Sequence, residues 1–115
     1  MHVLKLRTPE GEREIKIRIH HPADHGSYWG CSYEIDWPKG QHGLEATGID
    51  ALQALISAFQ MIGSEIYTST YHADGALFAP NRDGGYGFPV PYNIRHLLVG
   101  GDSLDFGLAT ELPEN

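Results

Sequence analysis

The chain is poor in cysteine and in long apolar runs. Its 115 residues contain one cysteine, Cys31, so an internal disulfide is excluded, and this scarcity fits a reducing compartment. No apolar run approaches the length of a membrane span, and Lys5 and Arg7 interrupt the N-terminus before a signal-peptide core could form. We therefore expect a cytoplasmic protein that has no membrane partner.

Basic residues are scarce after the first twenty positions. Residues 1–20 hold five Lys and Arg against three acids, whereas residues 21–115 hold three against twelve, for a formal net charge of −7. A field of this sign repels phosphate backbones, which argues against nucleic acid as a general partner, and it attracts basic proteins. The alternative is that the acidity serves only solubility.

Complete metal and catalytic motifs are also missing. The candidate metal ligands are His20, His21 and His25, but neighbouring residues of a strand point to opposite faces, so His20 and His21 do not readily share a metal. Neither a His-Glu-x-x-His helix nor a Cys-x-x-Cys pair occurs. We expect solvated histidines, no cofactor and no catalytic residue. The alternative is a small metal-dependent enzyme, or a metal-binding protein, that uses these three histidines.

Alternating apolar residues predict several short strands. Ile15, Ile17 and Ile19 share one face of a strand, and Trp29, Cys31, Tyr33 and Ile35 do the same further along. This register places the Cys31 thiol in the core, where a thiol is inert. The predicted strands are 3–7, 13–21, 28–36, 44–47 and 76–79.

One long helix is predicted between these strands, over about residues 50–70. Asp50 is a suitable N-cap, and Gln53 stands where a capping box places its second member. The expected buried stripe recurs at helical spacing and consists of Leu52, Leu55, Ile56, Phe59, Ile62 and Ile66. Gly63, in mid-helix, indicates a close approach to the sheet.

Strands on both sides of a single helix predict an α+β fold. We expect an antiparallel sheet of four to six strands, with the helix packed across one face. Residues 1–101 should form one domain, and residues 102–115 an acidic tail that is partly frayed. Residues 94–99 should dock on the core as a short strand or a helical turn.

Two surfaces are candidates for binding a partner. The predicted polar line of the helix carries no charge, which suggests that another segment or subunit covers part of it; its residues are Gln53, Ser57, Gln60 and Ser64. A glycine-rich turn region carries residue types that are enriched at binding hot spots, namely Arg82, Tyr86 and Phe88.

The chain resembles an uncharacterised family of small bacterial proteins over residues 13–90. Three motifs carry the resemblance: Trp29-x-Cys31-x-Tyr33-x-Ile35, the helix start Gly48-x-Asp50-Ala51-Leu52-Gln53-Ala54-Leu55, and Gly87-Phe88-Pro89. The resemblance implies a bacterial, cytoplasmic single domain of unknown function, with no catalytic residue to assign.

A non-catalytic protein-binding module is the function that the sequence favours. Small size, acidity and a core cysteine suit a cytosolic binder, and one concrete form is an immunity protein that neutralises a basic toxin. The alternatives are the metal-dependent protein described above and a homodimeric accessory protein.

Overall fold

Six antiparallel strands form one sheet in the part of the chain that the structure describes. The structure, a computed structural model, describes residues 2–80 and 84–103. Its strands are β1 (His2–Thr8), β2 (Gly11–Ile19), β3 (Ala23–Asp24), β4 (Trp29–Trp37), β5 (Gly40–Gly48) and β6 (Leu77–Phe78). Three helices, α1 (Ala51–Tyr67), α2 (Thr70–Ala73) and α3 (Gly100–Asp102), and a 3-10 helix (Tyr92–Leu97) complete the described elements. The predicted α+β fold is confirmed.

Strand β4 lies in the middle of the sheet. It pairs with β2 and β3 along one side and with β5 along the other, while β1 joins β2 to β6. Ile17 lies opposite Ile35, and Tyr33 lies opposite Leu44, so apolar residues of successive strands share the face that meets α1. Cys31 is fully buried on this face, as predicted.

Helix α1 begins with the predicted cap. The Asp50 carboxylate accepts a hydrogen bond from the Gln53 amide at 2.8 Å. Gln53 in turn accepts one from the Ile49 amide at 2.6 Å, one residue earlier than the usual capping box. Two backbone N–H groups at the helix start are thus satisfied by nearby side chains, which explains why the sequence located this boundary well.

The face of α1 that meets the sheet differs from the predicted stripe. Ala54, Ala58, Ile62 and Ile66 are completely buried, whereas Leu52 is 65% exposed and Ile56 is 44% exposed; the exposed neighbour Ile49 precedes the helix. The prediction that Leu52 and Ile56 are buried is wrong. Two apolar stripes fit the helical period in this segment, and the one with two alanines lets the helix approach the sheet more closely.

Residues 84–103 pack along a flank of α1. A Cβ atom on Gly63 would lie 1.8 Å from the carbonyl oxygen of Pro89, so the close approach predicted at Gly63 is to this segment and not to the sheet. The fully buried Asp102 carboxylate accepts hydrogen bonds from the Tyr67 hydroxyl at 2.6 Å and from the amides of Tyr86 and Gly87 at 2.7 Å. Asp102, the first residue of the predicted tail, is thus held in the folded domain; residues 104–115 lie outside the described residues.

Candidate protein-binding cleft

A cleft of about 520 Å³ opens between the end of α1, the start of α2 and the turn that joins β4 to β5. Its lining consists of Trp37, residues 39–42, Glu65 and residues 68–71. The register of the β4–β5 hairpin builds one side, because it places His42 opposite the buried Ile35 and so on the helix-facing side. The end of α1 supplies Glu65 on the opposite side of the cleft.

Glu65 is the polar centre of the cleft and the one charged residue of α1. Its Oε2 accepts a hydrogen bond from the hydroxyl of Tyr33, a side chain that is 1% exposed. Burial, together with the neighbouring Glu65 carboxylate, raises the pKa of Tyr33, so the phenol stays a donor. The imidazole Nε2 of His42 lies 3.8 Å from the same carboxylate oxygen. A positioned carboxylate is thus presented to solvent.

Two aromatic rings form a wall of the same cleft. The rings of Trp37 and Tyr71 are stacked, with their centroids 5.3 Å apart and their planes 17° from parallel. The stacked pair adds a flat aromatic surface to the cleft lining, and the face of an aromatic ring attracts a cation.

Two hydroxyl groups at the cleft are engaged with the backbone. Thr68 donates to the carbonyl of Ser64 at 2.6 Å, and Ser69 donates to the carbonyl of Ile66 at 2.7 Å. Ser69 also accepts from the His72 amide at 3.2 Å and so caps α2. These residues fix the junction between the two helices, and neither hydroxyl is paired with a base that would activate it.

The combination of carboxylate and aromatic wall is suited to binding a cation. A guanidinium or ammonium group gains charge-assisted hydrogen bonds from the carboxylate and a cation–π contact from the rings. Acid–base chemistry between His42 and Glu65 has less support, because 3.8 Å exceeds hydrogen-bond distance.

The sequence of this fold matches a known family. The family model described as "Domain of unknown function (DUF6968)" matches residues 1–90, which is more than half of the chain. The chain belongs to the DUF6968 family. The match confirms the resemblance to an uncharacterised family and extends it to the β1–β2 hairpin, and it includes every residue of the cleft. Neither a curated protein nor a solved structure matches the chain.

The histidines predicted as weak metal ligands are spread over the DUF6968 sheet. Nε2 of His20 lies 2.9 Å from Oε2 of Glu34, and Nε2 of His25 lies 3.0 Å from Oε2 of Glu45. The two imidazoles therefore pair with different carboxylates. His21 is exposed and lies two residues after the end of β2. Among residues 2–80 and 84–103, no three His, Cys, Asp or Glu side chains come together as a metal site. In the same range no helix is long and apolar enough to cross a membrane.

The predicted partner residues of the helix lie outside the cleft. Gln53 is exposed and caps the helix, while Ser57, Gln60 and Ser64 are half-buried. A shallow groove of about 450 Å³ runs along this part of α1 and includes Leu52 and Ile56. The exposed surface of α1 is thus more apolar than the sequence indicated.

The predicted loop surface is largely interior. Tyr86 is 3% exposed and Phe88 is 5% exposed, and both pack in the core. Arg82 lies outside the described residues. The hydroxyl of Tyr86 lies 2.5 Å from Nδ1 of His72, and burial raises the pKa of Tyr86 to about 12. These aromatic residues hold the 84–103 segment against α1 and α2.

Glu65, His42 and the Trp37–Tyr71 pair are the site residues that the sequence argument missed. One signal was available, since Glu65 is the only charge in a helix of otherwise neutral residues. The meeting of Glu65 with Tyr33, 32 positions away, depends on the packing of α1 across β4, which no local pattern reports.

Proposed function

We propose that this DUF6968 chain is a non-catalytic protein-binding module whose cleft takes a basic side chain of a cationic protein. One observation carries the proposal: the Glu65 carboxylate, held by the Tyr33 hydroxyl, lines the same solvent-accessible cleft as the stacked Trp37 and Tyr71 rings. A concrete form of this function is an immunity protein that neutralises a basic toxin.

The charge of the chain supports a cationic partner. After residue 20 the chain carries twelve acids against three bases, which favours encounter with a basic surface. The Glu65 side chain is 21% exposed, so it is partly desolvated before a ligand arrives. A charge-assisted hydrogen bond contributes about 1.5–3 kcal/mol in such a setting, and a cation–π contact adds about 0.5–2 kcal/mol.

A pair of matched peptides tests the cation directly. The probes are acetyl-Gly-Arg-Gly-amide and the same peptide with citrulline, which has the shape of arginine without its charge. In a titration followed by ¹H–¹⁵N NMR, we expect the arginine peptide to shift the Glu65 and Tyr71 amides. The citrulline peptide should bind about tenfold more weakly, because it loses the charge-assisted pair.

Three variants locate the binding on the protein. Glu65→Gln keeps an acceptor for Tyr33 and should weaken arginine binding about tenfold. Glu10→Gln makes the same charge change in the exposed β1–β2 turn and should leave binding nearly unchanged. Lys39→Met removes a cation from the cleft lining and should strengthen binding. Equal affinity for the two peptides, or equal effects of Glu65→Gln and Glu10→Gln, would refute the proposal.

A homodimeric protein is the second candidate, and one observation favours it. Ile49, Leu52 and Ile56 are 82%, 65% and 44% exposed at the start of α1, in a stretch whose one charge is Asp50. Two copies of an acidic chain meet with least repulsion on such a face, and apolar residues of this size are favourable in an interface core.

A further inference from the structure

Strand β5 forms an open edge of the sheet. All nine of its residues pair with β4, and within the described part of the chain no strand pairs with its outer side. The opposite edge is β6, which has only two residues. Eight of the nine β5 residues are exposed or half-buried, and Ala46 alone is buried. The long edge therefore presents unpaired backbone N–H and C=O groups to solvent.

The usual protections of an edge strand are missing from β5. Its sequence, GQHGLEATG, contains neither lysine nor proline, the residues that most often block pairing with another chain. Its one charged side chain is Glu45, which points to the sheet face opposite α1. There, its Oε2 lies 3.0 Å from Nε2 of His25. The edge is thus long, accessible and unblocked.

The cleft opens along the same edge. Gly40, Gln41 and His42 belong both to β5 and to the cleft lining. Leu44, opposite the buried Tyr33, lies two residues beyond His42 on the same face and is 47% exposed. In a strand placed beside β5, one side chain would therefore contact Leu44. The side chain two residues away in that strand would enter the cleft.

We infer that the β5 edge accepts an extended segment of the partner as an added strand. This segment carries a basic residue opposite His42, and the basic side chain reaches Glu65. Two positions away, the segment carries an apolar residue that packs against Leu44. Backbone hydrogen bonds to β5 supply affinity, and the two side-chain contacts supply specificity. The inference rests on the proposed function for its basic residue.

Charge favours a cationic segment over a second copy as the occupant. Glu65 and Glu45 both lie near this edge, within a chain whose net charge is −7. A second copy would bring the same carboxylates to the edge, whereas a basic segment neutralises them.

A symmetric peptide tests strand addition in either direction. The probe is acetyl-Ser-Ile-Thr-Arg-Thr-Ile-Ser-amide, in which isoleucine lies two residues from arginine on both sides. Two N-methylated forms are compared with it, one methylated on Ile, Arg and Ile and the other on the two Thr. Since alternate N–H groups face β5, one of these forms should bind at least tenfold more weakly. Amides of residues 41–47 should shift on binding of the unmodified peptide.

Matched protein variants locate the apolar contact. Leu44→Ser should weaken binding of the seven-residue peptide about threefold to tenfold. Val99→Ser removes an exposed apolar side chain that belongs neither to β5 nor to the cleft lining, and it should have little effect. Both side chains are exposed, so folding should survive, and circular dichroism checks that it does.

The outcomes separate the inference from the proposed function. If both N-methylated peptides bind as well as the parent while citrulline still weakens binding, strand addition is overturned and the cation site stands. If N-methylation abolishes binding while citrulline has no effect, strand addition stands and the cation site fails. A self-associated form in which the 41–47 amides are already protected, and from which the peptide is excluded, would overturn the inference in favour of a second copy.

Discussion

His72 shows how a single side chain can make the stability of this domain depend on pH. Burial between Tyr67 and Tyr86 lowers its pKa below the ordinary value of 6.5, because the charged imidazole is poorly solvated there. The folded state therefore resists protonation that the unfolded chain accepts. The contribution of His72 to the free energy of unfolding is therefore fully present above about pH 6.5. It is lost as the pH falls from there towards the pKa of His72 in the folded state.

The pH prediction is made for His72→Gln, which removes the titrating group. We expect the urea concentration at the unfolding midpoint of the wild type to decrease when the pH is lowered from 7.5 to 5.5. The midpoint of His72→Gln should decrease less over the same range. His96→Gln, at an exposed position, should keep the wild-type dependence. An unchanged dependence in His72→Gln would assign the effect to other groups.

At the scale of elements, the contact between α1 and the 84–103 segment depends on Gly63. The Cβ of Gly63→Ala would lie 1.8 Å from a backbone oxygen of Pro89 and 3.1 Å from a side-chain carbon of Val90. Overpacking costs about 1–3 kcal/mol, which exceeds the gain of about 1 kcal/mol in helix propensity. We therefore expect a net loss in the free energy of unfolding, measured by urea titration.

A second glycine provides the control for that substitution. A Cβ on Gly101 would meet no atom within 4 Å, so Gly101→Ala should be nearly neutral. A stabilised Gly63→Ala variant would show that the segment separates from α1 at little cost.

The start and the packing of α1 were not equally predictable. Asp50 and Gln53 lie three residues apart, and their hydrogen bonds depend only on local geometry, so the sequence located the helix start. The buried face depends on what the sheet offers, and Leu52 and Ile56 were assigned to the wrong side for that reason. The cleft was missed for the same cause, because its residues come from β4, β5, α1 and α2.

For the whole molecule, the exposed start of α1 predicts self-association. In sedimentation at about 100 μM, we expect the 12.7 kDa chain to form a dimer. Leu52→Lys combined with Ile56→Lys should give a monomer, because each copy would bury two unpaired charges in the contact. Asn93→Lys, at another exposed position, should leave the dimer intact. A monomeric wild type would refute the homodimer candidate without affecting the cleft.

Local sequence patterns were enough to predict the approximate positions of five of the six described strands, the capped helix, the buried Cys31 and the acidic balance of the chain, whereas the two-residue strand β3 was not predicted. These features follow from the alternation of side chains, from hydrogen bonds within a few residues and from simple composition. Tertiary packing selects which stripe of α1 is buried, where Gly63 makes its close contact and which side chains meet at Glu65. Such contacts join residues far apart in the chain, and their energies depend on how whole elements fit together.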